Sequence, residues 1–75
     1  MKTIEKVFSA EKLINDRIQQ GRSVDVLWGG KDVSYYDGCI VKFKVNEWGT
    51  EPLGQMFCPE LGATLWIHED WCIEK

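Results

Sequence analysis

The stretch that most constrains this chain runs from Val24 to Val45: VDVLW, then GGKDVS, then YYDGCIVKFKV. In its second half Cys39, Val41, Phe43 and Val45 alternate with Ile40, Lys42 and Lys44. A strand turns successive side chains to opposite faces, so this pattern predicts a half-buried strand with an apolar inside and a largely basic outside. Val24, Val26 and Trp28 repeat the same period, and Gly29-Gly30 marks a loop between the two strands. A lone hairpin is not stable in water. The rest of the chain must therefore cover this one.

The chain has 75 residues and reads as a single domain, 1–75. A domain of this size buries only about 60% of the surface its unfolded form exposes, which leaves a thin core and little room for a deep catalytic cleft. With 44% hydrophobic and 28% charged residues it belongs with folded globular chains, not disordered ones. No apolar run reaches the roughly 20 residues that span a bilayer. The opening MKTIEKVF lacks the apolar core of a signal peptide. The expected location is the cytoplasm, with no membrane partner. Cys39, Cys58 and Cys72 are odd in number and widely spaced, which fits reduced thiols better than a disulfide framework.

Along the chain, residues 2–8 fit a helical face or an edge strand. The helix start that follows favours the strand. Ser9 is a good N-cap, Phe8 is placed to staple onto Leu13, and Glu11 sits in the first turn, where the helix dipole favours an acid. Ala10, Leu13, Ile14 and Ile18 form one apolar stripe, and Gly21 ends the segment. The prediction is one amphipathic helix, residues 10–20, docked on the sheet. NEWGTEPLG reads as a loop carrying Trp48. Residues 55–58 form a short strand and Pro59–Gly62 a tight connection. Residues 63–67 form the next strand, with Leu65 and Ile67 on one face and Trp66 on the other. A one-turn break at His68-Glu69-Asp70 precedes a last strand from Trp71.

Five short strands with a single turn before the last resemble the small SH3-like barrel. LWIHEDWCI is similar to the fourth strand, 3₁₀ turn and fifth strand of that class. Val24–Trp28 and Tyr35–Val45 stand as its first two strands, and NEWGTEP as the loop after the second. The resemblance covers residues 23–75. It implies a mostly-β or α+β fold: a five-stranded SH3-like barrel with one N-terminal helix. The ALYDY-like run of peptide-binding SH3 domains is absent, and His68 stands where a proline would open the 3₁₀ turn. Binding of proline-rich peptides is therefore not carried over.

Four groups of residues have chemistry to offer. Cys39, Cys58, His68 and Cys72 are competent zinc ligands, but structural zinc brings its ligands in close sequence pairs, and Cys39 and Cys58 lie nineteen residues apart. The alternation places Cys39 in the core. A cysteine nucleophile with His68 as base, oriented by Glu69 or Asp70, has no supporting spacing either. The expectation is no cofactor, no metal and no catalysis; a zinc-binding or thiol-dependent protein is the third reading.

The aromatic set is richer: four tryptophans and two tyrosines. Trp28 and Trp71 lie in strand patterns and read as structural. Tyr35, Tyr36 and Trp48 sit at loop edges, and Trp66 faces outward. Tyr35 and Tyr36 near Asp37 also fit a cation-binding aromatic cage. Residues 45–75 carry Lys75 alone against Glu47, Glu51, Glu60, Glu69, Asp70 and Glu74, whereas residues 1–44 are net basic. Trp48 on a loop rimmed by acids has no folding role, unless it lids the barrel, and suits a Lys/Arg-bearing partner. The leading expectation is a non-enzymatic protein-binding module, monomer or homodimer. It would contact its partner through Trp48, Glu47, Glu51, Trp66, Tyr35 and Tyr36. Such a chain suits an accessory or inhibitory protein of bacterial or phage origin. The alternative is a nucleic-acid-binding barrel using Lys42, Lys44, Arg22 and Lys31 with the loop-edge tyrosines. The net charge of −3 weighs against it.

Overall fold

The computed structural model describes residues 2–75. Strand β1 (Lys2–Phe8) leads into helix α1 (Ala10–Gln19). A small hairpin follows, β2 (Leu27–Trp28) and β3 (Lys31–Asp32), then a 3₁₀ turn, Val33–Tyr36. Next come β4 (Ile40–Asn46), β5 (Gly49–Thr50), β6 (Leu53–Cys58) and β7 (Ala63–His68). A second 3₁₀ turn, Glu69–Trp71, precedes β8 (Cys72–Glu74). The fold is mostly β with one helix. The main sheet is antiparallel in the order β7-β6-β4-β1-β8, with β5 also paired to β4 and β2–β3 standing apart.

The helix forms where its signals lie. Ser9 accepts the Lys12 amide at 3.3 Å, Arg17 sits in the last turn, and Gly21 takes φ +69° just past the end. Ala10 and Leu13 are buried and Ile14 packs beside them. Ile18, expected on the same stripe, is exposed. The last turn of α1 stands clear of the core.

The expected five-stranded barrel is not found. The sheet does not close, and it contains six strands plus a separate pair. Two assignments account for the difference. Residues 2–8 are extended, as expected, but they form an interior strand, not an edge: β1 pairs with β4 along six residues and with β8 on its other side. The place next to β4 given to Val24–Trp28 belongs to β1. Of that segment, only Leu27–Trp28 is a strand, and it pairs with Lys31–Asp32. Gly29 and Gly30 both have positive φ, which suits a two-residue hairpin turn but pairs only the residues next to it. Asp32 then caps the 3₁₀ turn through the Ser34 amide, and Gly38 at φ +89° breaks the run before β4 begins. Tyr35 and Tyr36 thus fall in a turn and not in a strand. Cys39, expected in the core, is exposed, because β4 starts one residue later.

Although unclosed, the sheet must curl. β7 and β8 are its opposite edges, yet three residues join them. Five flat strands at about 4.8 Å spacing would hold those edges roughly 19 Å apart, and a single 3₁₀ turn rises only about 2 Å per residue. The bend falls between β4 and β6, which share one ladder pair, Lys42↔Gln55. Gly54 lies inside this bend under the Phe43 ring. The curled side holds the core: Phe8, Val41, Phe43, Met56, Cys58, Ile67 and Cys72 from the sheet, and Ala10, Leu13, Val33 and Tyr36 from the covering layer. Trp71 donates its indole N–H to Asp16 at 3.2 Å, and Lys12 reaches the Cys72 carbonyl at 2.8 Å, tying α1 to the second 3₁₀ turn and β8. Among the described residues no helix is long and apolar enough to cross a membrane.

Candidate functional site

One face of the sheet is covered and the other is not. The register sets out the uncovered face in rows. Ile73, Val7 and Ile40 stand abreast on β8, β1 and β4. Beside them run Glu5, Lys42, Gln55 and Trp66, across β1, β4, β6 and β7. Thr3 and Lys44 begin a third row. On β6 the inward residues Gly54, Met56 and Cys58 alternate with Leu53, Gln55 and Phe57, so both larger apolar side chains of the outward set are left in water. Phe57 is 62% exposed and Trp66 59%, and Leu53, Ile40 and Ile73 are exposed with them.

Thr3, Lys42, Lys44, Glu51, Leu53 and Trp66 enclose a shallow cavity of about 120 Å³ over Gln55. That is well below the roughly 300–1,000 Å³ typical of small-molecule sites, and it fits a side chain better than a cofactor. A larger open hollow of about 600 Å³ lies beside the start of α1. Two of its polar side chains cap the helix start: Asp37 accepts the Ala10 amide at 2.8 Å and Ser9 that of Lys12.

The structure brings together some of the residues singled out in the sequence and separates others. Trp66, Glu51, Lys42 and Lys44 share the cavity. Trp48 does not line it. It stands 87% exposed at the tip of the turn between β4 and β5, where Asn46 accepts its amide at 2.9 Å. It is not a lid. Glu47 is exposed beside it. Tyr35 is exposed on the first 3₁₀ turn, with its ring edge-on to Tyr36 and the Lys31 ammonium 5.3 Å from its centre. Tyr36, expected at the contact surface, is buried. Its hydroxyl donates to the Trp28 carbonyl at 2.7 Å and accepts the Cys58 thiol at 3.3 Å. Burial, then the hydrogen-bonded Cys58 and Glu60, pushes its ionisation well above the usual range. A tyrosine cage beside Asp37 is therefore not assembled, because only one of the two rings is free. Lys31 on β3 and Arg22 past α1 lie outside the main sheet and do not line the cavity with Lys42 and Lys44.

The thiols and His68 do not converge. Cys39 is exposed before β4, Cys58 buried on β6 and Cys72 buried on β8. Burial raises the Cys72 thiol above its ordinary value, which disfavours the nucleophilic thiolate. His68 caps the second 3₁₀ turn, its Nδ1 accepting the Asp70 amide at 3.1 Å. Among the described residues no three His, Cys, Asp or Glu side chains are grouped to hold a metal ion.

Sequence reasoning passed over Phe57, Leu53 and Ile73. The signal for the first two was in LGQMFC, where both phases of the alternation carry apolar residues. Such a strand has nowhere to hide one of its faces unless the sheet is covered on both sides. Ile73 became legible only once β8 was known to pair with β1. Comparisons with protein-family models, with curated proteins and with solved structures find no match.

Proposed function

We propose that this protein is a small non-enzymatic binding module that docks another protein on the uncovered face of its sheet, with Trp66 as the anchor. The observation that carries this reading is the exposed apolar set Ile73, Ile40, Phe57, Leu53 and Trp66 on one sheet face, opposite a face fully used by the core. Large apolar side chains gathered in water on one face and interleaved with polar groups suit an interaction site, and tryptophan is a favoured anchor. The cavity beside Trp66 has room for one partner side chain. Glu51 at its wall and the acids of the β7 end suit a Lys/Arg-bearing partner. Trp48 is a second, separate contact. The second 3₁₀ turn between β7 and β8 supports reading the sheet as an opened SH3-like barrel, and the unpaired thiols suit the cytoplasm.

One observation favours a second reading: Lys42 and Lys44 flank Trp66 in the same groove, the charge-plus-stacking arrangement used on single-stranded nucleic acid. Glu51 offsets part of that charge, while Glu5, opposite Lys42, is paired with Lys75. A nuclease-treated pull-down with wild type and Trp66→Ala, followed by titration of the purified partner, separates the two. The protein-binding reading expects a partner whose affinity falls about 30-fold or more in Trp66→Ala while melting is unchanged. Binding that needs nucleic acid and weakens steeply with salt overturns it.

A further inference from the structure

β7 is an edge strand without the usual protection. Along all six residues it pairs with β6, and no strand occupies its other side among the described residues. Natural edges are blunted by lysine, proline, a bulge or a covering segment, because unpaired N–H and C=O groups invite another strand. ATLWIH contains no charge and no proline, and Trp66 and Thr64 are exposed. The other edge is guarded: β8 has only three residues, and its Glu74 pairs with Lys6.

Charge frames the open edge at both ends. Glu60 lies in the turn before β7, and Glu69 and Asp70 in the turn after it. The lysine–carboxylate pairs found among the described residues are Lys6–Glu74 and Lys75–Glu5, so neither Glu60, whose carboxylate lies 3.9 Å from the Cys58 thiol, nor Glu69 faces a lysine or arginine. We infer that an extended segment of the partner adds to β7 as a further strand, apolar or β-branched in its middle and carrying Lys or Arg near both ends. This rests on the protein-binding reading above and gives it a mode. Main-chain hydrogen bonds would supply affinity and alternate side chains specificity. Those on the outer face of the added strand would lie against Trp66. A second copy of this chain is the poorer occupant: antiparallel β7–β7 pairing sets Glu60 of each copy beside Glu69 and Asp70 of the other, like charge against like at both ends.

The test uses the full chain and a displayed library of random decapeptides. Expected are enriched peptides with basic residues roughly seven to nine positions apart, just beyond the six-residue span of the strand. The best of them, made synthetically, should slow hydrogen exchange at alternate amides of residues 63–68. Glu69→Lys with Asp70→Lys should weaken it about tenfold or more, and a version of the peptide made acidic at the facing end should regain binding to that variant. Thr64→Lys, an exposed change that installs the missing edge charge, should weaken it similarly with an unchanged melt. Enriched peptides that ignore these changes, or that protect amides away from β7, overturn strand addition and leave the docking reading standing. Enrichment of nothing overturns both. A dimer in sedimentation that Thr64→Lys dissolves would assign the edge to a second copy and overturn the basic partner.

Discussion

Gly54→Ala tests the bend on which the architecture depends. By local propensity this change should help: glycine in a strand interior is destabilising, and replacing it where the backbone permits gains about 0.4–1 kcal/mol. Gly54 has no positive φ to protect it. The surroundings reverse the sign. A Cβ placed there would lie 2.8 Å from Cδ2 and Cε2 of Phe43 and 2.8 Å from Cγ1 of Val41. Both neighbours are fully buried and have no free space to move into. Forcing an extra carbon into a packed core costs about 1–3 kcal/mol, so the net loss should be roughly 1–2 kcal/mol. In a domain of this length each kcal/mol lowers Tm by roughly 4–8 °C. Urea and thermal unfolding by circular dichroism should show the loss. Adding Phe43→Leu, which removes the ring edge, should make Gly54→Ala cheaper in that background than in wild type. If Gly54→Ala raised Tm, or if its effect were the same with and without Phe43→Leu, β6 would not cross β4 as described.

Three further outcomes follow from packing and protonation. Trp71→Ala should cost about 2–3 kcal/mol, less than a fully buried tryptophan, because the ring is half-buried and gives up its bond to Asp16; a melt within a few degrees of wild type would refute its role in tying α1 to the sheet. Tyr36 is held neutral in the folded state by burial and by its neighbours, so its folded pKa lies above its unfolded value of about 10. Its contribution is therefore complete below about pH 10 and declines as pH rises beyond it, when only the unfolded chain releases the proton; urea midpoints from pH 8 to 11 should fall more steeply for wild type than for Tyr36→Phe. A thiol reagent should label one cysteine, Cys39, in the folded protein and all three after unfolding, since Cys58 and Cys72 are buried.

What the sequence revealed depended on whether a signal was local. The helix was legible to within a residue because its cap, its stripe and its glycine stop all lie inside the segment. The face of each residue in 40–45 and 63–67 was legible from period two. Strand partners were not. β1 and β4 are separated by about thirty residues, and nothing in KTIEKVF names IVKFKVN as its neighbour. Gly29-Gly30 offered a nearer pairing, and the hairpin it makes is real but two residues deep. Trp66 and Trp48 were both legible as exposed side chains. That Trp66 has Lys42 and Lys44 for neighbours and Trp48 does not was a matter of register, which composition does not carry.

The sheet stops short of a barrel because the edge of β8 is partly occupied. A closing strand would need acceptors and donors on the outer side of β8. The Cys72 carbonyl already receives the Lys12 ammonium, and the Cys72 amide already bonds the Glu69 carbonyl within the turn. Lys12 of α1 and the turn itself therefore satisfy the Cys72 backbone groups that a closing strand would otherwise meet, and the three-residue link holds the two edges near each other without pairing them. Closure by hydrogen bonds is lost on the β8 side because that edge is occupied. On the β7 side the edge is left open with nothing to occupy it. A buried hydrogen-bonding group must find a partner in the fold, but an exposed strand edge can wait in water at little cost. The helix that completes the core thereby leaves β7 able to take a strand from outside the chain.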